Sequence, residues 1–466
     1  MKEKIEIKRK ALVVKPIFVY AVPTRRDQTS WRYWGGIQSE KDAEQELLHI
    51  QDELKSLQFK ADFPVEFLPV AHVLKTPDLS NITDLQSADL FLVYAAGGSS
   101  TDIFDSLNKM GKDMIFFLRH KSGPVYLWYE LLSPAFLRKQ TDKLAVSGID
   151  ENDVIIDNQD EILWRLRALC GLKNTLNSRI IAIGRAEGWG HQLKDVIPNL
   201  ARDKFKLDIQ TVSYEELGKL ITEARADKSL VYRIKSRVDE YLKDTNIKLE
   251  TKRQFVENCF VLEDVFTRIM KKFDCKAITI VDCMWTIMPL SETTACLTLS
   301  LLNDAGYLAF CESDFVVIPS GILLANISGK PVFLYDPTYP HNGMITGAHC
   351  TAPRRMDGQK LAPARILTHF ESDYGAAPKV EMLLHQTITN IMPDFAFKRY
   401  VGLLGKIMDN PSLDICRTQI DISFDCDSKT VAEQMQGFHW VAVYGDYMRE
   451  IGYALKRVGI NFKNLV

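Results

Sequence analysis

Residues 307–350 read YLAFCESDFVVIPSGILLANISGKPVFLYDPTYPHNGMITGAHC. An apolar run from Tyr307 ends in Glu312. A mostly apolar segment of helical length follows, and a second apolar run, PVFLY, ends in Asp336. His349 comes soon after. This is the pattern of a strand–helix–strand unit with an acid at the exit of each strand. In open α/β sheets, ligands bind outside the carboxyl ends of the strands. Parallel neighbours lie about 4.8 Å apart. If the two strands are neighbours, Glu312 and Asp336 face one site.

Working outward, the chain on the N-terminal side alternates strands and helices. Residues 11–22 read as a first strand. DAEQELLHIQDELKSL (42–57) has apolar residues at helical spacing, with Ser39 placed to cap its start. PVEFLPV, DLFLVYAA, DMIFFLR and KLAVSGI are further strands, with helices near 102–110, 125–137 and 160–172 between them. Gly97–Thr101 joins a strand to a helix. Such a turn either cradles an anion or simply caps the helix, and it lacks the P-loop lysine. A second α/β domain opens at IIAIG and continues through FKLDIQTV, a charged helical stretch over 228–273 and KAITIVDC. Beyond residue 345 short β-like runs dominate: ARILTHFE, PKVEMLLHQTITNIM, KRYVGLLGKIM and TQIDISFDC. A helix over GDYMREIGYALKRV follows. The expected fold is α/β: two tandem doubly wound domains, 1–172 and 173–345, then a β-rich, barrel-like domain over 346–466.

Composition narrows the function. A chain of 466 residues, 46% hydrophobic and 25% charged, has the profile of a multidomain globular protein. With 58 basic and 60 acidic residues, a net charge of −2 gives no electrostatic reason to expect nucleic acid or an anionic membrane as partner. Nine cysteines with no CxxC pair point away from a disulfide framework or a zinc ribbon. ALVVKPIFVYAV, interrupted by Lys15 and Pro16, reads as a strand and not as a signal sequence. The expected location is cytoplasmic.

The candidate chemistry rests on Glu312, Asp336, His349 and His439, spaced by 24, 13 and 90 residues. Oxygen and imidazole donors without paired thiolates suit manganese, magnesium, iron or cobalt better than a structural zinc. Two carboxylates at one ion also separate their pKa values, which proton transfer beside a carbonyl requires. His439 is flanked by Phe438 and Trp440, and His349 follows small residues. Cys350 reads as a buried, inert thiol. Trp31, Trp34 and Trp189 sit in polar or Gly-containing turns, where they serve as platforms for a sugar face or as packing at a subunit interface.

The CESD turn, PVFLYDPTYP, GAHCTAP and GFHWVAVYGDY, in this order and spacing, resemble the L-fucose isomerase family, which also embraces the L-arabinose isomerases. The resemblance extends to the architecture of two α/β domains and a β-rich third. It implies a metal-dependent aldose–ketose isomerase, an intramolecular oxidoreductase of carbohydrate metabolism. The ion is usually Mn²⁺, with Mg²⁺ or Co²⁺ as alternatives. Glu312, Asp336 and His439 would hold it, with His349 as the extra histidine of the arabinose branch. Glu312 and Asp336 would be acid and base for proton transfer between C1 and C2 through a cis-enediol. A homo-oligomer is implied, a trimer or hexamer, in which the first domain lends an aromatic residue to a neighbour's site. The chain is shorter than the long fucose isomerases, and the residues flanking Glu312 and His349 differ from theirs, so the sugar is left open. Two other readings stay open: a non-catalytic sugar-binding protein, and a metal-dependent epimerase or lyase acting on a sugar.

Overall fold

The structure is a computed structural model that describes residues 7–97, 101–132, 149–189 and 195–465. It contains two compact units, one of Lys10–Cys170 and one of Gly171–Val466 with the N-terminal residues through Arg9.

The first unit is a parallel sheet. Its strands are β1 (Leu12–Val19), β2 (Val65–Phe67), β3 (Ala71–Val73), β4 (Leu90–Ala95), β5 (Asp113–Leu118) and β6 (Val154–Ile156). They run in the order β2-β1-β4-β5-β6, with β3 also paired to β1. β4 is buried along its whole length, which is why it reads as a continuous apolar run without alternation. The helix Glu40–Lys60 begins as expected, with Asp42 N–H donating to Ser39 Oγ at 3.2 Å. Residues 143–148 of the expected strand KLAVSGI, residues 133–137 of the expected third helix and residues 98–100 of the Gly97–Thr101 turn lie outside the described residues.

The second unit combines a parallel sheet with a barrel. β7 (Arg179–Ile183), β8 (Asp208–Val212), β10 (Ala277–Ile280) and β11 (Leu308–Phe310) form the sheet in the order β11-β10-β7-β8. β9 (Ile247–Leu249) interrupts the long helical stretch, between helices Lys228–Leu242 and Arg253–Lys272. The barrel consists of β12 (Phe333–Pro337), β13 (Met344–His349), β16 (Thr387–Met392), β17 (Arg399–Asp409), β18 (Thr418–Ser423) and β19 (Trp440–Tyr444). Their order is β16-β19-β12-β13-β18-β17, and β17 pairs with β16 to close the ring. β20 (Asn461–Leu465) runs parallel to β17 outside the ring. β14 (Ala364–Leu367) and β15 (Ala377–Val380) join β9 in a small separate sheet.

The opening stretch corrects the sequence reading at one point. β11 and β12 are not neighbours. β11 is the edge of the parallel sheet, and β12 lies in the barrel between β13 and β19, antiparallel to both. The intervening helix Ile318–Ser328 is buried from Ile318 through Ile327, so it is a core element and not an amphipathic cover. Gly321 lets it approach the sheet closely, since a Cβ there would stand 2.6 Å from the Phe310 ring. The helix carries the chain from sheet to barrel, and one apolar core unites Ile181 and Ile278 of the sheet with Phe333, Ile345, Val401 and Trp440 of the barrel. The expected boundary at 345/346 falls inside β13. No helix among the described residues is long and apolar enough to cross a membrane.

Candidate metal centre

Glu312 leaves the end of β11 in a strained turn. Its φ is 63° and that of Ser313 is 49°, two consecutive non-glycine residues in the left-handed region. Ser313 anchors the turn: its N–H donates to Thr279 Oγ1 at 3.1 Å, and its hydroxyl donates to the Arg185 carbonyl at 2.7 Å. Strain of this kind persists where surrounding contacts over-determine the backbone, and it concentrates at functional sites. Here it turns the Glu312 carboxylate toward the barrel.

The barrel brings the other three residues. Tyr335 pairs with Trp440 across the antiparallel strands β12 and β19, so Asp336, which follows the one, and His439, which precedes the other, meet beyond the pair. Asp336 pairs with Ala348 across β12 and β13, which places His349 on the other side. Gly347 permits this, because a Cβ there would lie 2.6 Å from the Tyr335 ring.

The four side chains converge. His439 Nε2 is 3.0 Å from Glu312 Oε2 and 3.4 Å from Asp336 Oδ1. His349 Nε2 is 3.8 Å from Glu312 Oε1, too far for a hydrogen bond but close enough for charge attraction. Donor atoms of Asp336, His349 and His439 all lie within 4.8 Å of one another. The imidazoles form the buried floor, while the Glu312 and Asp336 side chains keep 31% and 41% of their surface open, as a site admitting a small molecule needs.

Three buried atoms at this point have no hydrogen-bond partner: Asp336 Oδ1, His349 Nε2 and His439 Nε2. Buried polar atoms are rarely left so. One divalent ion would satisfy all three. The 3.0 and 3.4 Å separations suit adjacent ligands of an octahedral ion, whose donors stand about 3 Å apart when each lies about 2.1 Å from the metal. Both imidazoles are oriented from behind. His439 Nδ1–H donates to Asp314 Oδ2 at 2.8 Å, and His349 Nδ1 is 3.1 Å from Thr351 Oγ1. Each leaves Nε2 for the ion.

Charge follows the geometry. Burial favours the neutral form of Glu312, but the two imidazoles outweigh it and hold the carboxyl well below its usual range. Asp336 is raised, chiefly by burial. Burial pulls His439 down, but Asp314 and Glu312 push it up to about 10. His349 is likewise raised, the Glu312 carboxylate overcoming burial.

Asp314 is the residue that sequence reasoning missed. It is completely buried, and its Oδ1 accepts from Trp189 N–H at 3.2 Å and Val316 N–H at 3.1 Å. The available signal was its place two residues after Glu312 in CESD. Trp189 stands at the site, its ring 4.1 Å from that of Phe438 and 5.8 Å from that of His439. Trp31 and Trp34 belong to the other compact unit, where Trp34 packs edge-on to Trp128 and Arg32 lies over Trp31. Cys350 is buried, and contact with Cys296 together with burial raises its thiol far above the range of a nucleophile. Compared with known families, the chain matches no family model, and it has no significant match among curated proteins.

Proposed function

We propose that this chain is a metal-dependent isomerase that interconverts an aldose and a ketose. The observation that carries the reading is the meeting of two carboxylates and two back-oriented imidazoles at a point where three buried polar atoms make no hydrogen bond. Glu312, Asp336, His349 and His439 would hold the ion, with Mn²⁺, Mg²⁺ or Co²⁺ suited to such donors. A bound ion of this kind supplies Lewis-acid polarisation of a neighbouring hydroxyl–carbonyl pair.

The protein's own groups supply the proton transfer. Two carboxyl groups whose environments push their pKa values apart divide acid and base roles. Glu312 and Asp336, on either side of the ion, would share the acid and base roles in moving a proton between C1 and C2, so that the sugar passes through a cis-enediol. Trp189 and Phe438 offer an apolar wall to a sugar face and help exclude water. The same reading includes a cytoplasmic homo-oligomer, a trimer or hexamer, with Trp31 or Trp34 reaching a neighbouring subunit's site.

The test is a Mn²⁺-supplemented screen over aldohexoses, deoxyhexoses and pentoses, read for ketose formation. Glu312→Gln and Asp336→Asn should each lower turnover by about 10²–10⁴-fold. Wild-type turnover in either variant would overturn the assignment. Product analysis in D₂O separates isomerisation, with solvent deuterium at C1 or C2, from epimerisation and from carbon–carbon cleavage at the same site. Sugar binding indifferent to a chelator, with no product, would mark a non-catalytic binding protein.

A further inference from the structure

A second cluster lies in the same unit, and the proposed reaction does not use it. Donor atoms of Cys296, Cys350 and His369 all lie within 4.8 Å of one another, and each residue is buried, with 3%, 2% and 6% exposure. The Cys416 thiol contacts that of Cys350 and packs against the same group from its more open side. Four separate segments supply these residues: the first turn of helix Cys296–Asp304, the residue after β13, the loop after β14 and the loop before β18. Local sequence does not account for their meeting, since the positions span 120 residues.

The details are those of a soft-metal site. His369 Nδ1 stands 3.3 Å from Ser372 Oγ, which orients the ring. The Arg417 N–H donates to Cys350 Sγ at 3.3 Å, a contact that stabilises a thiolate. Coordination to a divalent cation deprotonates a thiol outright.

We propose that Cys296, Cys350 and His369 form a second metal site that binds Zn²⁺ in tetrahedral geometry, with Cys416, whose thiol meets that of Cys350 but stands outside the three-donor group, drawn in as fourth ligand. Thiolate and imidazole donors select this thiophilic cation, while the carboxylate–imidazole centre beside it selects harder ones. Each thiol gives its proton to solvent on binding. The site is independent of the proposed reaction: a chain inactive on every sugar would still carry it.

Co²⁺ is the probe, because thiolate ligation gives it an intense sulfur-to-cobalt charge-transfer band. The full chain, stripped of metal and fully reduced, is titrated with Co²⁺ without oxygen. The expected result is a charge-transfer band that saturates within two equivalents, with the intensity of one thiolate-bound Co²⁺ per chain, and is displaced by Zn²⁺. It should be lost in Cys350→Ser and Cys296→Ser, weakened in Cys416→Ser, and retained in Asp336→Asn and Cys311→Ser. Cys416→Ser, at the less buried edge, keeps the test decisive if a core variant does not fold. Absence of the band in the wild type, its survival in both Cys350→Ser and Cys416→Ser, its loss in Cys311→Ser alone, or a native disulfide among these thiols would each overturn the proposal.

Discussion

His439 Nδ1–H donates a 2.8 Å hydrogen bond to Asp314 Oδ2, and neither side chain is exposed to solvent. The two residues are 125 positions apart, one at the exit of the parallel sheet and one at the mouth of the barrel. The carboxylate fixes which ring nitrogen carries the proton and raises the basicity of the other. Asp314→Asn keeps the shape and removes the charge. It should weaken Mn²⁺ binding about 10–100-fold, measured by calorimetric titration. Unchanged affinity would show that Asp314 serves packing alone.

Metal loading should depend on pH with a definite sign. In the metal-free protein His439 is held up at about 10, so its Nε2 carries a proton at neutral pH, and His349 is also raised. An ion at His439 Nε2 must displace that proton. Affinity for Mn²⁺ should therefore rise with pH across about pH 6–9, with protons released on binding. Calorimetry in two buffers of different ionisation enthalpy measures that release. Proton uptake, or no dependence on buffer, would contradict the geometry.

Asp304 gives a stability prediction away from the metal centre. It ends the helix Cys296–Asp304, and its Oδ1 accepts from Arg355 N–H at 2.8 Å. Burial raises its pKa from 3.8 to about 7, against the pull of Arg354 and Arg355. The folded state thus binds the proton more tightly than the unfolded chain. Its contribution to stability falls as pH rises from about 4 to 7, by a few kcal/mol at most. Asp304→Asn keeps an oxygen acceptor and has no charge to bury. It should unfold in urea at a higher midpoint than the wild type at pH 8, with the difference vanishing near pH 4. An equal midpoint at pH 8 would refute this.

Gly347→Ala tests how Asp336 is positioned. The new methyl group would stand 2.6 Å from the Tyr335 ring, whose hydroxyl donates to Asn390 Oδ1 at 2.7 Å inside the barrel. The ring has little room to yield, so the substitution should cost about 1–3 kcal/mol. Any shift of Tyr335 moves the next residue, so Mn²⁺ affinity should fall together with stability. A loss of stability with full metal affinity would separate the two.

The parts of the fold visible in sequence were those written in local pattern. Buried parallel strands such as DLFLVYAA and the Ser39-capped helix show themselves within ten or twenty residues, because periodicity and capping are local. Strand partnership is not local. PVFLYDP is apolar whether it joins an open sheet or a barrel, so nothing in it revealed that β12 pairs with β13 and β19. The same holds for β9, which pairs in parallel with β14 more than a hundred residues on. Glu312, Asp336, His349 and His439 were chosen as candidates by chemical type and order, and the barrel brings Asp336, His349 and His439 together by a route different from the one expected. Asp314 was overlooked because a second acid in a turn reads as an ordinary polar residue until its histidine is seen.

The change of partnership has a mechanical consequence. Glu312 belongs to the parallel sheet, whereas Asp336, His349 and His439 belong to the barrel. An ion held by all four is a clasp between two layers of one core. At a hundred times its dissociation constant, such an ion would add about 2.7 kcal/mol to the folded state. If the ion is held as proposed, chelation should loosen the seam between sheet and barrel as well as stop the proposed reaction. A cell short of the metal would hold a protein that is easier to unfold, and therefore easier to degrade.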